Sequence, residues 1–251
     1  MNNILHIVSI LSLISGFLCA SVILFSIFPY RRQPMKIMEA VWPLTGLWAG
    51  WIGLWAYLQM GIYRNTLPKM DMKKRASPQD GLSKSSRMAD LKMEKTEMNM
   101  PSHSRWQTVA LSTLHCGAGC TLADIIGEWF TFFVPLSIGG NFIAGQWTLD
   151  YLLALVIGVF FQYAAIRPME HLSRRATIGK AFKIDFLSLT SWQIGMYGWM
   201  AVVMFVMYRG MPFPRNSWEF WFMMQIAMCC GFLTSYPINW ILVKSGIKKG
   251  M

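Results

Sequence analysis

Six long apolar runs dominate the chain, at residues 4–28, 38–62, 107–136, 147–166, 186–208 and 218–243. Each reaches the roughly 20 residues that a helix needs to cross a hydrocarbon core about 30 Å thick. None alternates residue by residue as a half-buried strand would. The pattern predicts an all-α, polytopic membrane bundle of six helices. No Lys or Arg precedes the first run, and it is longer than a secretory leader's apolar core, so it reads as a span that Pro29-Tyr30-Arg31-Arg32 closes. In the second run Trp48, Trp51 and Trp55 recur at helical spacing and predict one aromatic face for packing or lipid contact. Pro43 predicts a kink near that helix's start.

Polar stretches divide the chain into three parts. Residues 1–63 are an N-terminal helix pair, 64–106 a Met-rich basic loop, and 107–251 a four-helix membrane domain. The loop has no apolar period and carries ten Lys/Arg against five Asp/Glu, which predicts a mostly disordered segment with a short helix near 88–97. A basic connector at 167–185 reads as an amphipathic interfacial helix.

Composition supports the membrane assignment, with 54% hydrophobic and only 14% charged residues; soluble domains carry about 25% charge. A net charge of +11 would suit a nucleic-acid partner, but the basic residues gather between apolar runs. That is the signature of the positive-inside rule, and it excludes nucleic acid as the partner. With the N-terminus in the cytoplasm, 18 Lys/Arg fall on inside segments and 5 outside, so both termini are expected there. Arg31, Arg32 and Lys36 are a local violation. Five cysteines, all in apolar runs, argue against an extracellular disulfide framework.

The candidate chemistry lies in the third run. Cys116, Cys120, Asp124 and Glu128 step by four and follow one slowly turning line on a helix; His115 lies about 100° from Cys116. Thiols and carboxyls at membrane depth are costly unless they face partners or a wet cavity. Cysteines four apart could share a soft ion such as Cu(I) as thiolates, with His115 or residues of other helices completing the site. Met196, Met200 and Cys230 are the candidates for that other side. Met70, Met72, Met98, Met100 and His103 are candidates for ion capture in the polar loop, since thioethers are soft ligands without fixed geometry here. The competing reading is structural. Gly117, Ala118, Gly119 and the cysteines would permit close helix packing, and Asp124 and Glu128 would pair with Arg167, Gln162 or Gln193.

The run Leu114-His115-Cys116-Gly117-Ala118-Gly119-Cys120-Thr121-Leu122-Ala123-Asp124-Ile125-Ile126-Gly127-Glu128 resembles a bacterial membrane family known as domain of unknown function family 4396. Pro168-Met169-Glu170-His171 and the stretch from Phe186 to Met200 resemble its second signature. The resemblance spans residues 106–245 or so. It implies an integral protein of the bacterial cytoplasmic membrane and no particular activity. Three function classes follow. A soft-cation transporter or handler is expected foremost. A non-catalytic membrane subunit, docking a protein partner or a second copy, is the alternative. A thiol-redox enzyme fits poorly, because Cys116 and Cys120 lie some 15–21 Å from Trp106 by helical rise. No nucleotide loop, acyl-transfer triad or haem motif occurs, so the chain is expected not to be an enzyme.

Overall fold

A computed structural model describes residues 3–30, 33, 35–62, 104–167, 173–209 and 214–248. These residues are almost entirely helical, and six helices follow in order. They are α1 (Asn3–Tyr30), α2 (Met38–Ala56), α3 (Arg105–Phe133), α4 (Phe142–Ile166), α5 (Arg174–Ala201) and α6 (Trp218–Lys244). Short π-helical turns, Tyr57–Gly61 and Val202–Met207, extend α2 and α5. The expected all-α bundle is what forms. Five helices are long and apolar enough to cross a membrane, α2 being the exception.

Helix starts follow local chemistry. Asn141 Oδ1 accepts from the N–H groups of Ile143 and Ala144 and opens α4. Ser217 Oγ does the same for Phe220 in α6. Each satisfies donors that a helix start leaves free. Because Asn141 supplies a cap, α4 begins five residues before the apolar run. A second departure is larger. Ser173 caps α5 at Arg174, so residues 174–185 are the first turns of that helix and not a separate interfacial helix.

α2 also departs from expectation. Its dihedrals are non-helical at Gly50 (φ 53°, ψ −125°), not at Pro43. Only glycine adopts that region readily. The break rotates the second half of the helix, so Trp48 is buried while Trp51 and Trp55 are exposed. The three indoles therefore do not share one face.

The bundle is organised around α3. Of its most apolar stretch 83% is buried, against 28–39% for the other four long helices. α2, α4, α5 and α6 all pack on it, and α1 packs on α2 and α6. Small residues set these approaches. A methyl group on Gly117 would overlap the Trp192 ring, and one on Gly231 would overlap the other part of the same indole. Trp192 of α5 is therefore wedged between glycines of α3 and α6. It also meets Trp48 edge-on, with ring centroids 5.9 Å apart. On another face Gly119 lies against Gly158 of α4. Two small residues of the motif thus allow close packing, Gly117 toward α5 and Gly119 toward α4.

Candidate functional site

Every polar residue of the α3 line is buried: His115, Cys116, Cys120, Asp124 and Glu128. The line ends in two clusters, one at each end of the helix. From Ser112 to Glu128 it runs about 24 Å at 1.5 Å per residue, most of a hydrocarbon core.

At the Glu128 end, Arg215 comes in from the segment before α6. Its Nε lies 3.1 Å from Glu128 Oε2, an ion pair in distance that lacks hydrogen-bond alignment. Gln146 of α4 bridges the two: its amide nitrogen donates to Glu128 Oε1, and Arg215 Nη2 donates to its carbonyl. Asp150, one turn along α4, rests on Gly127 so closely that any side chain there would collide with its carboxyl. Asp124 lies within electrostatic reach of Asp150 and Glu128. Neither oxygen of Asp124 has a hydrogen-bond partner. Tyr197 of α5 closes this region, its ring stacked on Trp147 at 4.9 Å and its hydroxyl donating to Trp147 O.

At the other end, the chain after α6 turns back. Gly246 adopts a left-handed φ of 70°. The turn lets Lys248 N–H donate to Leu242 O and sends the Lys248 side chain into the bundle. There Nζ donates to Ser112 O at 3.0 Å and Asn239 Oδ1 at 2.7 Å. Asp185 and Cys116 lie within electrostatic reach of the ammonium. Burial lowers the Lys248 pKa below the usual lysine range, while Cys116 and Asp185 oppose that shift. Asp185 packs on α4 where Gly158 leaves room for its carboxyl. Between the two clusters the Cys116 thiol lies against that of Cys120 and against the Ser188 hydroxyl.

Not all expected ligands converge. His115 rests on Phe161 of α4, with ring centroids 5.8 Å apart, while the thiol pair turns to α5. Met196 and Met200 are buried in the same apolar core as the two cysteines, but Cys230 is only half-buried, its backbone abutting Gly195. Among the described residues, no three His, Cys, Asp or Glu side chains gather as a metal-binding group. The loop candidates Met70, Met72, Met98, Met100 and His103 lie outside the described residues.

Glu128 is held by partners other than those expected, and Asp124 has no hydrogen-bond partner. Arg167 lies over the Tyr163 ring at 5.7 Å, and the Gln193 amide has no hydrogen-bond partner. Arg215 and Gln146 hold Glu128 instead. Asp150, Asp185, Arg215 and Lys248 escape the sequence reading. Asp150 had a visible signal, as the single charged residue in the fourth apolar run. Lys248 reads as a solvated tail charge, yet it is 1% exposed.

A bundle of apolar helices wrapped around one helix with buried charge defines a multi-pass membrane protein. The chain belongs to the family described as Domain of unknown function (DUF4396), which it matches over residues 105–248, from the start of α3 to Lys248. No curated protein and no solved structure matches it.

Proposed function

We propose that the protein carries a cation across the membrane along the polar line of α3. The observation behind this reading is an imbalance of charge. Among the described residues, and apart from Glu219, which pairs with His6, the buried carboxyls Asp124, Glu128, Asp150 and Asp185 share the bundle interior with two basic side chains, Arg215 and Lys248. Unneutralised charge at membrane depth costs several kcal/mol or more. Protons or a visiting cation must therefore make up the difference, and Asp124, with neither oxygen partnered, is where a compensating proton would reside. The Cys116–Cys120 pair makes a soft monovalent cation such as Cu(I) the cargo class of this proposal, since two thiolates suit such an ion and buried thioethers line the same core. The carboxyls then carry the compensating protons.

The test is Ag(I) binding to the detergent-purified protein, paired with Ag(I) uptake into vesicles. Wild type is expected to bind one ion and take it up; Cys116→Ser/Cys120→Ser is expected to lose binding, and Asp124→Asn to keep binding and lose uptake. No binding by wild type removes the soft-cation cargo. Uptake that survives Asp124→Asn removes the carboxyl path.

A second reading, a membrane subunit whose polar groups join helices or a partner chain, is favoured by Glu128, whose carboxylate is already engaged by Arg215 and Gln146. It would leave all variants inert in flux and would show as a partner lost on Asp124→Asn.

A further inference from the structure

We infer that the oxygen-lined recess between Ser112, Ser188 and Asn239 is a binding site for a small monovalent cation of the ammonium type, which Lys248 fills as a tethered ion. The acceptors are prepared for a cation. Asn239 Nδ2 donates to Ser188 Oγ (2.8 Å), Ser235 O (3.0 Å) and Ser235 Oγ (2.9 Å). Those bonds fix the amide so that Oδ1 turns toward Nζ. Ser235 Oγ in turn donates to Ser188 O, which locks α5 to α6 behind the recess. Ser188, Ser235, Asn239 and Lys248 are all 0–1% exposed. Two neutral oxygens take two of the three ammonium protons, Asp185 lies within electrostatic reach of the charge, and Asp185 Oδ2 has no hydrogen-bond partner. Oxygen ligands at fixed positions beside a carboxyl suit a hard, singly charged ion.

The occupant is weakly anchored compared with its site. Lys248 lies beyond the last helix, held by the Gly246 turn and one backbone hydrogen bond to Leu242. Reversing that turn withdraws the side chain while Asn239, Ser188 and Ser112 stay on their helices. The next groups inward along α3 are His115 and Cys116, so withdrawal would uncover the thiol end of the polar line. That Lys248 guards a path rests on the translocation reading above; that the recess accepts an ammonium ion does not.

Chemical rescue tests both parts. Full-length Lys248→Ala in detergent is titrated with ethylammonium chloride, with N-methylglucamine chloride holding ionic strength constant. The expected result is a lowered thermal midpoint that rises saturably by about 2–4 °C with ethylammonium, a shift ordinary for one restored interaction in a chain of this length. Wild type, its recess filled, is expected to stay flat. No saturable rise, or an equal rise in wild type, overturns the site. If Lys248→Ala does not fold, Lys248→Met keeps the aliphatic stem. In that variant the stem is filled and only the Nζ position is vacant, so ammonium chloride is the probe; it is expected to slow alkylation of Cys116 at least several-fold, and unchanged alkylation overturns the site equally. Vesicle flux of the rescued variant separates the two ideas. Raised flux without ethylammonium, suppressed when it is added, supports the guarded path. Rescue with unraised flux keeps the site and overturns its role as a guard.

Discussion

At the residue scale, the glycines of the α3 motif show how one string of small residues serves several neighbours. Gly117 accepts the Trp192 ring, Gly119 the α4 backbone, and Gly127 the Asp150 carboxyl. Gly117→Ala is expected to cost about 1–3 kcal/mol, as overpacking does when the neighbour is a buried indole held on both sides. Gly119→Ala, whose new methyl would meet Gly158 at an ordinary 3.4 Å, is expected to cost less than about 1 kcal/mol. Denaturation of the two variants in one detergent makes the comparison. The Glu128 cluster offers a second test. Arg215→Gln leaves a buried carboxylate unpaired, and a loss of about 1–3 kcal/mol is expected, discounted because the Arg215 side chain is 25% exposed. Arg215→Gln with Glu128→Gln is expected to recover most of it, because no charge is then stranded. Residue chemistry was legible where charge interrupts an apolar run, as at Asp124 and Glu128. It was not legible for partners supplied from outside the helices, because a loop arginine and a lysine past a helix end carry no local mark of where they insert.

At the element scale, apolar length foretold all six helices, and capping residues then moved their ends. The start of α5 was misread because its first turns are basic and polar, although Ile184 and Ala181 are buried and anchor them. Met196, Met200 and Met207 recur four and seven residues apart, as one helical face would, but the π-helical turn after Ala201 breaks that face: Met196 and Met200 are buried, while Met207, the last residue of the turn, is 50% exposed. An added residue per turn rotates everything after it. The Gly50 break has a sharper consequence. Gly50→Ala places a side chain at a positive φ, and a loss of more than about 1 kcal/mol is expected; Pro43→Ala is expected to be nearly neutral or stabilising. Thermal denaturation of the two variants, read by helix content, distinguishes the true break from the sequence's apparent one.

At the scale of the whole molecule, the positive-inside count predicts both termini in the cytoplasm, and that requires an even number of crossings. α2 is the deciding element, since it lies along α1 yet is not among the five helices long and apolar enough to cross. Reporter fusions at the two ends are expected to report the same compartment; opposite compartments would mean that α2 stays on one side. The outer wall of the bundle carries Phe17, Trp51, Trp55, Phe160, Val156 and Leu233 to the exterior, each at least half exposed, as a lipid-facing surface does. The wedge of Trp192 sets how such an assembly can move. An indole pinned between Gly117 and Gly231 is a linchpin: α3 cannot shear past α6 until the ring is drawn out. The α1–α2 pair, broken at Gly50, is tied to α6 by Gln225, which accepts from Ser12 and donates to Leu47 O. Amide exchange should then be slowest around Gly117 and Gly231 and faster beside the Gly50 break, where the helical dihedrals are interrupted.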